Sequence, residues 1–196
     1  MTETLTAPEL LGIAASLSLL AGWRLYATVF LLGLSQKLNL FDLPQQLATL
    51  NILENPWILG VSGFGFAAEF FADKIPWIDS VWDTLHTAIR PVGGALLAMA
   101  VISPNDSVWQ ILVVLLGGGA ALLSHGAKTG TRAAINTSPE PVSNIMMSTT
   151  EDVATAGGLW LAFAHPLVAL GIAALLTFLF CYIVYRFVRF FRKKPA

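Results

Sequence analysis

Charge is scarce in this chain. Asp, Glu, Lys and Arg make up 12% of its 196 residues, about half the usual share of a soluble domain. Hydrophobic residues reach 56% and the mean hydropathy is +0.70. A soluble chain of this length would have difficulty hiding so much apolar surface, whereas a bilayer removes the need. There is one cysteine, Cys181, which excludes an internal disulfide and argues against a cysteine-based metal site. The net charge is −1, so a nucleic-acid partner has no electrostatic support. The opening residues Met1 to Glu9 contain no basic region. They do not read as a cleaved signal, and the first apolar run is expected to stay as a span. No G-x-S-x-G, H-E-x-x-H or phosphate-loop pattern occurs, and the chain leans away from being an enzyme.

Long apolar runs separated by polar turns fill the sequence. They predict an all-α polytopic membrane bundle of about six spans in a single integral domain, residues 1–196. The runs are residues 10–34, 57–72, 80–102, 107–134, 142–164 and 167–185. Residues 35–56 are mixed, with Leu40, Phe41 and Leu47 suited to a short interfacial helix. Asp79 or Ser80 is expected to cap the third helix, and Pro91 to kink it. Arg186, Arg189, Arg192, Lys193 and Lys194 give the end of the chain a basic tail, residues 189–196 at its core. Such a tail belongs on the cytoplasmic side. Six crossings then place both termini there, with Lys74, Lys128 and Arg132 on the same side.

Two halves of three helices, 10–102 and 107–188, show a faint repeat. Ser16, Gly22 and Arg24 recur at the same spacing as Ser124, Gly130 and Arg132. Three spans per half would make the halves inverted in the membrane, a plan used by transporters with a midplane site.

Ionisable groups inside a bilayer cost roughly 2.5–3.5 kcal/mol each, so their placement is informative. Glu69, Asp73, Glu151 and Asp152 form the candidate ion- or substrate-binding set. Glu69 and Asp73 lie one helical turn apart, and two such carboxylates repel unless a cation or proton sits with them. Arg24, Lys74, Lys128 and Arg132 are candidate charge partners that would instead neutralise the acids as a structural network. A further polar seam is expected where Asp79, Asp83, His86 and Arg90 on the third helix face His125, Lys128 and Arg132 on the fourth, with Glu140 in the following turn. Through Arg90, Lys128 and Arg132 that seam suits an anionic headgroup. No cofactor is evident. A bound cation is compatible with the acids, and two histidines without a clear third ligand leave any metal unassigned.

Gly22-Trp-Arg24, Glu69-Phe-Phe-Ala-Asp73-Lys74-Ile-Pro76, Asp79-Ser-Val-Trp-Asp83, Ile89-Arg90-Pro91, Lys128-Thr-Gly-Thr-Arg132, Asn136-Thr-Ser-Pro-Glu-Pro141 and Glu151-Asp152 occur in order. Together they resemble domain-of-unknown-function family 4126, small bacterial integral membrane proteins, over about residues 10–170. The resemblance implies a bacterial inner-membrane location and marks these polar motifs as the family's hallmark positions. It implies no activity. Separately, Glu69-x3-Asp73-Lys74 resembles the acid-x-x-Asp-Lys pattern of small cation/proton exchangers. The spacing here is one residue longer, and no lysine follows Glu151-Asp152.

The leading expectation is a small transporter or exchanger for a cation or a proton-coupled solute. The alternative is a non-catalytic lipid-binding or complex-assembly protein. A lipid-phosphate enzyme using Asp79, Asp83 and His86 stands third. Expected partners are the lipid bilayer, a small ion or solute, and a second copy of the chain in a homo-oligomer.

Overall fold

A computed structural model describes residues 4–40, 43–102, 106–135 and 141–192. Among them are six α-helices and one 3₁₀ helix, and no strand. The helices are α1 (Ala7–Lys37), α2 (Pro56–Ala72), α3 (Pro76–Ile102), α4 (Ser107–Ile135), α5 (Pro141–Ala164) and α6 (Pro166–Arg192). The 3₁₀ segment is Gln45–Glu54. Among the described residues, four stretches are long and apolar enough to cross a membrane: Ala7–Lys37, Trp77–Ile102, Ser107–Ile135 and Pro166–Arg186; α2 is apolar but shorter. The lipid-facing surface is built from exposed Leu, Val, Ile and Phe side chains such as Phe64, Leu96, Leu115 and Phe178.

Local chemistry sets the helix starts. Proline occupies the first helical position of α2 and α3, where its missing N–H costs nothing. Pro76 therefore starts α3, and the cap expected from Asp79 or Ser80 is not used; Asp79 lies in the first turn. Asp106 precedes α4 and its Oδ1 accepts from Val108 N–H at 2.8 Å. The helix α3 continues through Pro91, so the helix interruption lies elsewhere.

That interruption is in α1. Arg24 has φ −142° and ψ 72°, outside the helical region, between two helical arms, residues 7–23 and 25–37. The arms fold back on each other. A straight helix of 31 residues would be about 46 Å long. The nine residues from Lys37 to Gln46 reach at most about 32 Å. Yet Leu5 N–H donates to Gln46 Oε1 at 2.6 Å, and Gln46 Nε2 donates to Leu5 O at 3.1 Å. Ile13 of the first arm and Leu31 of the second also line one cavity. The two ends of α1 thus share one end of the bundle, and Arg24 is the hairpin tip.

The neighbours fix which end this is. Gly12 lies against Pro166 at the start of α6, and Gly33 against Leu53 and Leu59. Ala7 shares a cavity with Ile102, at the end of α3, and Trp109, in the first turn of α4. Residues 73–75, joining α2 to α3, lie at the far end. So does the end of α6, about 39 Å along its axis from Pro166. Both termini were expected on one side because α1 was read as a straight crossing. Folded at Arg24, it returns to the end of the bundle where it began, and the start of α1 lies opposite the end of α6.

The 3₁₀ segment buries Leu47, Leu50 and Leu53, three residues apart, as a three-residue turn aligns them. They join the apolar core with Ile13, Leu17 and Leu32. Leu47 was expected on the membrane surface; the segment instead closes the open end of the hairpin.

Candidate functional site

The tip of α1 delivers Arg24 into a cluster drawn from four other helices. Arg24 is fully buried. Its Nη1 contacts Asp73 Oδ2 at 2.5 Å, its Nη2 contacts Asp152 Oδ1 at 2.9 Å, and Glu151 and Glu69 lie at 3.6 and 3.9 Å. Nη2 also donates to the carbonyl and hydroxyl of Ser148, both at 3.0 Å. Lys128 Nζ, on α4, is within reach of four carboxylates: Glu69 at 3.3 Å, Asp73 at 3.5 Å, Glu151 at 3.6 Å and Asp83 at 3.9 Å. One turn further, Arg132 holds Glu151 through Nε at 3.2 Å and Nη2 at 2.8 Å, and reaches Asp73 at 3.2 Å. Arg90, on α3, donates to Glu69 at 2.7 Å and pairs with Asp83 at 3.2 Å.

The break in α1 is held by the same groups. Ending a helix frees backbone carbonyls, and a bilayer offers them no water. Arg90 Nη1 donates to Gly22 O at 3.3 Å and Ser124 Oγ to Leu19 O at 2.7 Å, both carbonyls in the last turns of the first arm. The first arm approaches α4 closely because Gly22 lies on the Ala121 backbone, where a side chain would not fit.

Two histidines border the cluster, and their tautomers follow from their partners. Arg90 can only donate, so His125 Nδ1, 2.7 Å from Arg90 Nη1, accepts. Nε2 then carries the proton and faces Asp83 O and Thr87 Oγ1, both at 3.1 Å. His86 donates from Nδ1 to Trp82 O at 2.7 Å, which leaves Nε2 to accept from Tyr26 Oη at 3.0 Å. His86 also stacks on Trp82, their centroids 4.4 Å apart.

Of the residues singled out in the sequence, the structure brings together Arg24, Glu69, Asp73, Asp83, Arg90, His125, Lys128, Arg132, Glu151 and Asp152. The stripes on α3 and α4 face each other. Asp79 is buried one turn before Asp83, and His86 lies beside the cluster on Tyr26 and Trp82. Lys74 takes no part in the ion pairs found among the described residues: its ammonium donates to Phe70 O at 2.8 Å and covers the Phe70 ring. Partial burial pulls its pKa below the usual lysine value. Glu140 lies outside the described residues. The cations of the seam are buried among carboxylates, so they do not present an open surface to a headgroup. No group of three potential metal ligands comes together among the described residues. The suggested repeat has unlike backbones, since α1 breaks at Arg24 whereas α4 runs unbroken through Arg132.

Sequence reasoning missed several members. Ser148, Thr129 and Asn144 complete the polar shell: Thr129 donates to Asp83 Oδ2 at 3.2 Å, and Asn144 Oδ1 accepts from Arg132 at 3.5 Å. Asn144, Ser148, Glu151 and Thr155 are all buried at spacings of four, three and four. That polar stripe on α5 was a usable signal.

Among the described residues, the ion pairs within 4 Å join four cations to five carboxylates. Glu69 Oε2 and Asp73 Oδ1 are buried without a hydrogen-bond partner among the described residues. With His125 neutral, the paired set has one carboxylate in excess.

The chain belongs to the family described as Domain of unknown function (DUF4126), whose profile matches residues 11–186. No curated protein and no solved structure gives a match.

Proposed function

We propose that the chain is a small membrane transporter or exchanger that moves a cation or couples a solute to protons. Glu69, Asp73, Glu151 and Asp152 would take the ion, and Arg24, Lys128 and Arg132 would compensate its charge. The observation that carries this reading is the interruption of α1 at Arg24 inside the ionic cluster. Interrupted helices at membrane depth are tolerated where they are buried in protein or line a pathway, and transporters use them to build ion sites. The excess carboxylate supports the reading, because one proton or monovalent cation would balance the set. Lys128 supports it too. A cation within 4 Å of four acids has several near-equivalent pairings, so ion uptake by one acid would shift Lys128 toward another. Exchange of pairings between packed helices is an established way to couple a local charge change to helix movement.

The basic end of α6 and Lys74 point to a cytoplasmic face at the α2–α3 end. The cluster would then open toward the cytoplasm, and the start of α1 would lie on the opposite side.

The test is flux in reconstituted vesicles under an imposed pH or cation gradient. Glu69→Gln with Glu151→Gln should abolish it, and undiminished flux in the folded double variant would sink the proposal. A second reading, a non-catalytic assembly protein, is favoured by the complete sealing of these carboxylates by Arg and Lys. It predicts no flux in the unaltered chain under any gradient.

A further inference from the structure

The five acids of the cluster are not alike. Among the described residues, Asp73 and Glu151 each meet Arg24, Lys128 and Arg132 within 4 Å. Glu69 meets Arg24, Arg90 and Lys128. Asp83 meets Arg90 and Lys128 and also accepts from Thr129. Asp152 meets Arg24 alone, at 2.9 Å. Its side chain is 20% exposed, against at most 2% for the other four. A neighbouring cation stabilises a carboxylate, so the four enclosed acids are the better neutralised. The excess negative charge falls on Asp152.

The surroundings of Asp152 select a proton over a metal cation. Arg24 Nη2 contacts Asp152 Oδ1 at 2.9 Å and Ser148 O and Oγ at 3.0 Å. A metal ion taking those oxygens would lie beside the guanidinium and be repelled, and it needs several oxygen ligands at once. No group of three His, Cys, Asp or Glu side chains converges to hold one among the described residues. A proton needs a single oxygen. The other charges acting on Asp152 are Glu69 and Asp73 of α2, and Lys74 in the turn after it. Lys128 and Arg132 of α4 pair with its neighbour Glu151. The helix α6 carries no Asp, Glu, His, Lys or Arg between Pro166 and Arg186. Asp73 caps the end of α2 and shares Arg24 with Asp152, so Asp152 lies near the polar α2–α3 end of the bundle, where water reaches it.

We propose that Asp152 is the residue through which the cluster exchanges a proton with water. The inference rests on the transport reading above and names its coupling ion. Uptake moves one proton from hydronium to the Asp152 carboxylate, leaving water and a neutral carboxyl; release is the reverse. The paired set then holds four cations and four carboxylates. Arg24 loses the ionic partner of Nη2 and keeps Asp73 on Nη1, with Glu151 at 3.6 Å and Glu69 at 3.9 Å as the next acids. Because α1 breaks at Arg24, the proton acts directly on the tip of the hairpin.

The experiment is infrared difference spectroscopy of the full chain in lipid vesicles, titrated from mildly alkaline to mildly acidic pH. It is paired with proton flux under an imposed pH gradient, with neither sodium nor potassium present. On acidification the parent chain should gain a carboxylic-acid band that Asp152→Asn lacks and Asp152→Glu keeps at a shifted frequency. Proton flux should fall about a hundredfold in Asp152→Asn, the lower figure for losing a positioned proton-transfer group, and recover in Asp152→Glu. Lys74→Gln removes a neighbouring positive charge, so its band should appear at higher pH than in the parent. No such band in the parent, or an unchanged band in folded Asp152→Asn, overturns the proposal. If Asp152→Asn does not fold, Lys74→Gln decides: an unshifted titration overturns it. Flux that requires sodium or potassium, with no Asp152 band, overturns it and leaves the transport reading standing. The band without flux in any chain sinks the transport reading and leaves Asp152 as the exchanging acid.

Discussion

Replacing Arg24 by methionine removes one cation and leaves its carboxylates in place. Arg24 contacts Asp73, Asp152, Glu151 and Glu69, and all except Asp152 are at most 1% exposed at the side chain. Three cations would then serve five acids. Removing one partner of a buried pair costs about 3–5 kcal/mol, because the surviving charge stays buried and uncompensated. Two further losses add to this. Ser148 loses donors to its carbonyl and hydroxyl, worth about 1–3 kcal/mol for bonds to a charged group. The hairpin tip also loses the anchor that holds it in the cluster. We expect Arg24→Met to lose about 4–6 kcal/mol, taking the shared terms as overlapping. Arg24→Lys keeps the charge but not the planar fork that reaches several acids at once, and should lose about half as much. The assay is reversible unfolding in mixed micelles, followed by circular dichroism. A double variant, Arg24→Met with Asp73→Asn, should recover part of the loss, because it removes the acid in closest contact with Arg24. If Arg24→Met unfolds within about 1 kcal/mol of the parent chain, below the least severe buried-pair loss, the cluster does not hold the hairpin.

The fold-back of α1 can be read by labelling. In a Cys181→Ser background, Thr6→Cys and Lys37→Cys should react with an impermeant thiol reagent from one side, and Lys74→Cys from the other; a straight α1 would separate the first two. Gly22→Ala should destabilise by about 1–3 kcal/mol through overpacking on Ala121, measured by the same unfolding assay. Gly126→Ala, which meets open space, should gain up to about 1 kcal/mol of helix propensity. His125→Leu should cost about 1–2 kcal/mol, because Arg90 loses a buried acceptor but keeps Asp83 and Gly22 O.

Much of the fold was legible because a bilayer imposes long apolar runs. The starts of α4, α5 and α6 fall within a residue of where capping and proline place them. The faces of α3 and α4 were equally legible. Residues at spacings of three and four share a face, and a charged face in a membrane chain turns inward. The break at Arg24 was not. It contains no proline, and Gly22 has no positive φ to betray it. Its cause is tertiary, since Arg90 of α3 and Ser124 of α4 donate to carbonyls in the last turns of the first arm. A clue did exist in the length of the first apolar run, residues 10–34, about 37 Å if straight against a hydrocarbon core of about 30 Å. In the site, the acids and bases were identifiable singly. Their pairing was not, because it depends on the hairpin that brings Arg24 to Asp73 and Asp152.

The order in which the chain is made gives the hairpin a difficult start. Arg24 leaves the ribosome 45 residues ahead of Glu69, 49 ahead of Asp73 and 127 ahead of Glu151. At about 5–20 residues per second, its first carboxylate arrives roughly 2–10 s later and the α5 acids about 6–25 s later. Until then the guanidinium has no internal partner, and a free charge at bilayer depth is disfavoured by roughly 2.5–3.5 kcal/mol. Its two arms are therefore expected to settle last, although they are translated first. The helix at the centre of the finished bundle would wait at the insertion machinery for the walls that will enclose it.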